Sequence, residues 1–536
     1  MKQHRIGMRQ RARFLAVAGI AAGSILATVS AASAQLVPTD SGPVQGHVND
    51  GTQEFLGIPY AAPPLGSLRF SPPQPPASWV TALQATDYPP ACSQLPILTN
   101  GNNHVVNEDC LYLNVWTPSP APTTPLPVMI WIHGGSNTSG STADFVPFPG
   151  FETDRLYDGH TISKVGNVIV VTVNYRLNAF GFFGMSEVAA EDLLYPYAGN
   201  QGLLDQRKAM QWVQTNIANF GGDPANVTIF GESAGSWDVC SHVVSPMDDG
   251  LFERAISESG GCSVGVKTAA EEQQAVDAVV AAVHCDTAMD RLACMRAVPA
   301  SDLLDASPLL STETTDLAIS VDGGFLPELP KTTLTNGSAR KVPYILGSNY
   351  DEGTLFTLNT PDMTEDEYTA TLLDRFGSFA PQVEALYPAG NFASPKAALT
   401  RVVGDSTLTC STMDVAKRYA SAHNHVWTYE FKRAPNLGGA IGTFLGAFHG
   451  SEIGYVFASV QPAPTPADAM LSTLMEGFWT SFAKYGKPKP QSHLPWAKFN
   501  PKSYKSVRFD VTSQKFSDYR RAECDFWTQY YDATNP

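Results

Sequence analysis

The sequence predicts an α/β fold: a large, mostly parallel central sheet flanked by helices. Three observations lead there. Residues 128–132 (Val-Met-Ile-Trp-Ile) and 168–173 are short unbroken apolar runs, the pattern of strands buried on both faces. Over residues 203–218 the apolar positions Leu204, Met210, Trp212, Val213 and Ile217 recur at helical spacing. The pentapeptide Gly231-Glu232-Ser233-Ala234-Gly235 follows the apolar run 227–230 and precedes a helix-compatible stretch, 236–244. That is strand, sharp turn, helix, with a serine at the apex. Buried strands alternating with helices give βαβ units and parallel pairing.

The other elements come in chain order. Residues 1–34 carry Lys2, Arg5, Arg9, Arg11 and Arg13, then a small apolar stretch, then Ala32-Ser33-Ala34. This reads as a secretory signal peptide cut before Gln35, leaving 35–536 as a single domain. Residues 36–60 alternate as a β-meander, and the Pro-rich 63–76 is irregular. After the strand at 128–132 comes His133-Gly134-Gly135-Ser136, and after 168–173 comes Asn174-Tyr175-Arg176. Residues 255–259, 342–347 and 426–431 read as further strands; 270–310 and 466–484 read as helical.

Composition bounds the function. A chain of 536 residues, 43% hydrophobic and 16% charged, folds around a large core. Its formal charge of −16 becomes −16 − 5 = −21 without the five basic residues of 1–34. So acidic a surface argues against nucleic acid or an anionic membrane as partner. Past the leader no run of about 18 apolar residues occurs, so no stable membrane anchor is expected. Eight cysteines in an exported chain fit disulfides, and without CxxC spacing they do not suggest a metal site. No feature specifies an oligomeric state.

The serine at the turn points to nucleophilic chemistry. A hydroxyl needs a base to take its proton and a third group to orient that base. In a parallel sheet these groups belong after the C-terminal ends of strands, here in the order serine, acid, histidine. After 342–347 come Asp351 and Glu352; after 426–431 comes His449. Glu352 and Asp351 compete as the acid. His423 and His425 precede their strand and sit at the wrong end, so His449 is the expected base. Negative charge on a carbonyl oxygen needs waiting N–H donors, which Gly135, Ser136 and Ala234 would supply.

These stretches resemble the type-B carboxylesterases, a family that includes cholinesterases and fungal lipases within the α/β-hydrolase fold. The likeness runs over Phe55-Leu56-Gly57-Ile58-Pro59-Tyr60-Ala61, Glu108-Asp109-Cys110-Leu111-Tyr112-Leu113-Asn114, Gly199-Asn200-Gln201-Gly202-Leu203-Leu204-Asp205-Gln206, Asp322-Gly323 and Asp351-Glu352-Gly353. The resemblance implies Ser233 as nucleophile, Glu352 as acid and His449 as base, with no metal or organic cofactor. It also implies a small-molecule ester substrate and inserted helical regions over the site. It suggests Ser259 as a hydroxyl near Glu352, and Glu232 as a buried carboxylate beside the nucleophile. It implies the disulfides Cys92–Cys110, Cys285–Cys294 and Cys410–Cys524, and leaves open whether Cys240 and Cys262 pair. Two departures stand out. Ser136 replaces a third glycine, and Asn137 replaces a frequent aromatic, giving a more polar mouth. The 93–109 loop lacks the tryptophan with which cholinesterases hold a quaternary ammonium. Trp237 and Asn137 are candidate pocket residues. The expectation is a secreted serine carboxylesterase. A lipase using 93–109 as a lid and an aromatic (feruloyl-type) esterase are the alternatives. A non-catalytic adhesion homologue does not fit a chain that keeps the serine, acid and base.

Overall fold

The computed structural model describes residues 33–95, 105–144, 155–192, 195–307, 317–437, 439–459, 465–489 and 493–534. The expected leader lies outside these but for Ser33 and Ala34, which open the first strand. Most of the proposed 93–109 lid also lies outside them. Ser33–Pro536 forms one compact unit.

The strands are β1 (Ser33–Pro38), β2 (Pro43–Asn49), β3 (Thr52–Pro59), β4 (Tyr112–Pro118), β5 (Leu126–Ile132), β6 (Ile169–Val173), β7 (Gly222–Glu232), β8 (Arg254–Glu258), β9 (Tyr344–Asn349), β10 (Val426–Phe431), β11 (Ser506–Phe509) and β12 (Gln514–Phe516). With the short Leu83–Gln84 strand on β2 they make a 13-stranded sheet, ordered β1-β2-β3-β4-β6-β5-β7-β8-β9-β10-β11-β12. From β6 to β11 every neighbouring pair is parallel. The meander at the start and the β11–β12 hairpin are antiparallel.

The unbroken apolar runs are explained by burial on both faces. In β5, Val128, Ile130 and Ile132 enter one core while Met129 and Trp131 enter the other. The first core is covered by α1 (Gln201–Asn216) and α2 (Ala234–Val244), through Leu203, Met210, Trp212, Val239 and Val243. α3 (Cys410–Ser421) adds Met413 and Val415 to it. The second is covered by α4 (Pro466–Tyr485), which buries Met475, Phe478, Trp479 and Phe482. α4 begins where its sequence says: Thr465 accepts from the Asp468 N–H, the Asp468 carboxylate accepts from the Thr465 N–H, and Pro466 needs no donor. Gly486, with φ of 66°, ends it.

All eight cysteines pair. Cys92–Cys110, Cys285–Cys294 and Cys410–Cys524 form, and Cys240–Cys262 is a fourth bridge joining α2 to the segment after β8. Cys410–Cys524 staples α3 to α5 (Arg521–Thr534) across 114 residues. By chain entropy it stabilises most of the four, by about 5 kcal/mol. The C410S/C524S double variant is therefore expected to show a larger drop in unfolding midpoint than C285S/C294S, whose bridge spans 9 residues. Equal midpoints in a denaturant titration would contradict this. Among the described residues no helix is long and apolar enough to cross a membrane.

Candidate active site

Ser233 sits between β7 and α2 with φ 57° and ψ −122°, a conformation that a non-glycine residue adopts only when its surroundings impose it. The imposing contacts are backbone. A Cβ at Gly231 would lie 2.6 Å from the Gly235 carbonyl oxygen, and one at Gly235 would lie 2.1 Å from that of Ile132. Only glycine fits at either side of so tight a turn. The Ser233 hydroxyl therefore projects above the sheet, at the N-terminus of α2, where negative charge is favoured.

The loops after the next strands bring the other groups to it. β9 leads to Glu352, and β10 leads, through residues 432–448, to His449. His449 Nε2 is 2.8 Å from Ser233 Oγ, and its Nδ1 is 2.7 Å from Glu352 Oε2. The Asn349 N–H donates to Glu352 Oε1 at 2.6 Å and fixes the carboxylate. Asp351 points elsewhere: its Oδ2 accepts from the Ala447 N–H at 3.0 Å, and Arg401 stands 3.6 Å from Oδ1. His423 and His425 lie before β10, at the far end of the strand; the His425 carbonyl serves only to pair with the Tyr344 N–H. A hydroxyl, an imidazole and a carboxylate in this chain can pass a proton and expose an alkoxide for attack on a carbonyl.

A model of the carboxylesterase family matches residues 33–527. The chain belongs to the carboxylesterase family. It is similar to the medium-chain fatty acyl-CoA hydrolase precursor of Anas platyrhynchos, at 34% identity over 96% of this chain and 95% of that one. It is 35% identical to the fumonisin B1 esterase of Sphingopyxis macrogoltabida, over 86% of this chain and 84% of that one. Among solved structures, a PNB esterase superimposes with a TM-score of 0.78 and 32% identity, covering 91% of this chain and 99% of that one. The fold is accordingly that of the α/β-hydrolases, and the protein is a serine hydrolase acting on carboxylic ester bonds.

In this carboxylesterase the loop 133–136 packs directly on the turn that carries Ser233. A Cβ at Gly134 would stand 3.0 Å from the Ser233 Cβ. Among the described residues the N–H groups of Gly135, Ser136 and Ala234 donate to no protein acceptor. Ser136 and Asn137 both take positive φ, 58° and 56°. Ser136, Asn137 and Trp237 line a cavity of about 480 Å³ together with Val264, Val266 and Ile319 and with Tyr530 and Thr534 of α5. The Asn137 amide is not free to polarise the mouth, because Asp238 and Tyr175 hold it inside.

Beneath the imidazole lies a group of buried carboxyls. Glu232 Oε1 is 3.3 Å from His449 Nε2 and makes no hydrogen bond. Burial, then the nearby Glu352, push Glu232 up to about 7, against the pull of His449. Burial alone would lower His449; the carboxylates of Glu232 and Glu352 outweigh it and hold the imidazole at about 9. Burial pushes Glu258 up to about 8 although Trp479 donates to it, and pushes Glu452 well above the carboxylate range. Burial thus favours the protonated form of both. The Ser259 hydroxyl, expected near Glu352, donates to Glu452 Oε1 at 3.3 Å. Glu452 is in turn bound by the Asn349 amide, so Ser259 stands one group further from the acid. Sequence reasoning missed Glu452, though it lies only three residues after His449, and Phe356, whose ring is 5.0 Å from the imidazole and four residues after Glu352.

The Glu232 charge favours imidazolium, the form unable to accept a proton. Glu232→Gln should therefore lower the pKa of His449 and move the acid limb of the kcat/KM profile by about one pH unit to lower pH. A pH–rate profile with p-nitrophenyl acetate reads this; a limb unmoved or moved upward would refute it.

Proposed function

We propose that Ser233, His449 and Glu352 carry out ester hydrolysis through an acyl-enzyme. His449 Nε2 takes the proton of Ser233 Oγ as the oxygen bonds to the ester carbonyl. Glu352 holds the imidazolium through Nδ1. The N–H groups of Gly135, Ser136 and Ala234 hold the oxyanion. The C–O bond to the alcohol breaks as His449 returns the proton to the leaving oxygen. Water, deprotonated by the same imidazole, then releases the acid and restores Ser233. No step uses a metal or cofactor. The 2.8 and 2.7 Å contacts that link hydroxyl, imidazole and carboxylate carry this reading.

The apolar cavity beside Ser136 and Trp237 favours esters with an apolar acyl or alcohol part over charged ones. Export is part of the proposal: the basic, then apolar, then small-residue start and four disulfides fit a periplasmic or extracellular protein, processed before Gln35. The test is a series of p-nitrophenyl esters from acetyl to palmitoyl, with fluorophosphonate labelling of wild type beside Ser233→Ala. Turnover peaking at short to medium chains, with labelling confined to wild type, is expected. A palmitoyl peak would favour the lipase alternative, and an unlabelled wild type would overturn the proposal.

A further inference from the structure

The loop that presents the oxyanion donors is closed on itself at Gly135, whose carbonyl accepts from the Thr138 and Ser139 N–H groups, but positions 136 and 137 need support from outside it. Ser136 and Asn137 are consecutive non-glycine residues in the left-handed region, a conformation side chains disfavour and which persists only where neighbours impose it. Side chains do the imposing, through an unbroken buried chain of hydrogen bonds. Asn137 Nδ2 donates to Asp238 Oδ1 at 3.0 Å, and Asn137 Oδ1 accepts from the Tyr175 hydroxyl at 3.0 Å. Its one proton is shared with the His133 carbonyl, 2.7 Å from the same hydroxyl, so Tyr175 bridges the two ends of the loop. Asp238 Oδ2 accepts from Gln206 Nε2 at 2.6 Å. The Gln206 amide is thereby oriented, so its Oε1 accepts from His242 Nε2 at 2.8 Å. His242 Nδ1 closes on Asp248 Oδ2 at 2.7 Å, with Arg207 3.3 Å from the other oxygen. Asp238, His242 and Asp248 are completely buried.

We propose that Asp238 is a positioning residue for ester hydrolysis: backed by Gln206 and the His242–Asp248 pair, it anchors the Asn137 amide and so aims the Gly135 and Ser136 N–H groups at the developing oxyanion. The inference rests on the reading of Ser233 and its oxyanion donors above. It gives a role to the departure at 137. An aromatic there would have no use for the buried carboxylate five residues beyond Ser233, whereas an amide uses both its ends. Two consecutive links, Asn137 to Asp238 and Asp238 to Gln206, require the acceptor to be a carboxylate, since both partners present N–H groups. From Asn137 to Asp248 Oδ2 every link of this buried network is made, and such a network holds a single geometry, because displacing a link strands a polar group away from water.

The carboxylate requirement sets the test. Asp238→Asn keeps the shape but can accept from only one of its two donors. It should lower kcat for p-nitrophenyl acetate by about 100-fold, the cost of an ångström-scale misplacement and the low end of that for a lost oxyanion donor, and leave KM nearly unchanged. Affinity for a trifluoromethyl ketone, which binds as an oxyanion on the serine, should fall by the same factor. Gln206→Met, one link further back, should shift kcat and ketone affinity in the same proportion but by less. A kcat loss without a matching loss of ketone affinity would assign Asp238 a merely structural role, and wild-type kcat in both variants would remove the role altogether. Ser233→Ala run in parallel separates the two readings. If it stays active, the nucleophile assignment has failed; if it is inactive while Asp238→Asn behaves as wild type, only the positioning inference has.

Discussion

Ser233→Ala is expected to reduce kcat for p-nitrophenyl butyrate by about 10⁶-fold, as loss of the nucleophile does in other serine hydrolases. The residual rate has general sources: bound substrate, oriented N–H donors and an imidazole that can still activate water. The loss should not be a folding defect. The Ser233 hydroxyl bonds His449, and the backbone strain at φ 57° belongs equally to alanine. Thermal unfolding of the variant should match wild type, so the activity ratio reads chemistry alone. Turnover comparable to wild type, after active-site titration excludes contamination, would place the nucleophile elsewhere.

Glu352→Gln is expected to cost about 10⁴-fold in kcat, and the reason lies in one backbone donor. The Asn349 N–H points at Oε1, so a glutamine at 352 must keep its carbonyl oxygen there. Its NH₂ then faces His449 Nδ1, which can only accept. The neutral imidazole is driven to the tautomer protonated at Nε2, facing Ser233 Oγ with a proton where a lone pair is needed. Asp351→Asn, one residue away, should leave kcat near wild type. An asparagine oxygen still accepts from the Ala447 N–H, and only a partly exposed ion pair with Arg401 is lost. Equal losses in the two variants would break the assignment of the acid.

That pair also marks how far the sequence could be read. The turn at Ser233, the 133–136 loop and the placement of His449 were legible because each is local: a few residues at the C-terminal end of a buried strand. Composition and spacing left Asp351 and Glu352 in competition, and only resemblance chose between them. Physically the choice depends on which of two adjacent side chains faces His449. It depends on the Asp351–Phe448 bridge, which joins segments nearly a hundred residues apart and leaves Glu352 facing the imidazole. The same limit hid Glu452, whose partner Ser259 lies 193 residues away, and the Cys240–Cys262 bridge, which an even cysteine count permits without specifying. The wall of the cavity that α5 supplies was illegible for the same reason: nothing near Ser136 announces that Tyr530 will line the same cavity.

That wall has an evolutionary consequence. Ser233, Glu352 and His449 follow β7, β9 and β10 in the middle of the sheet, where the imidazole bonds both the hydroxyl and the carboxylate. Tyr530 and Thr534 sit one turn apart on α5, on a helix already secured by Cys410–Cys524 and by the Tyr531 hydroxyl on the Ser406 carbonyl at 2.5 Å. On the proposed reading, substitutions there reshape the range of esters admitted without touching Ser233, Glu352 or His449; Thr534 is the freer position, because Tyr530 also packs on Phe376, Phe379 and Trp527. Libraries randomised at 530 and 534 should yield altered substrate range at a far higher frequency than libraries aimed at the oxyanion loop.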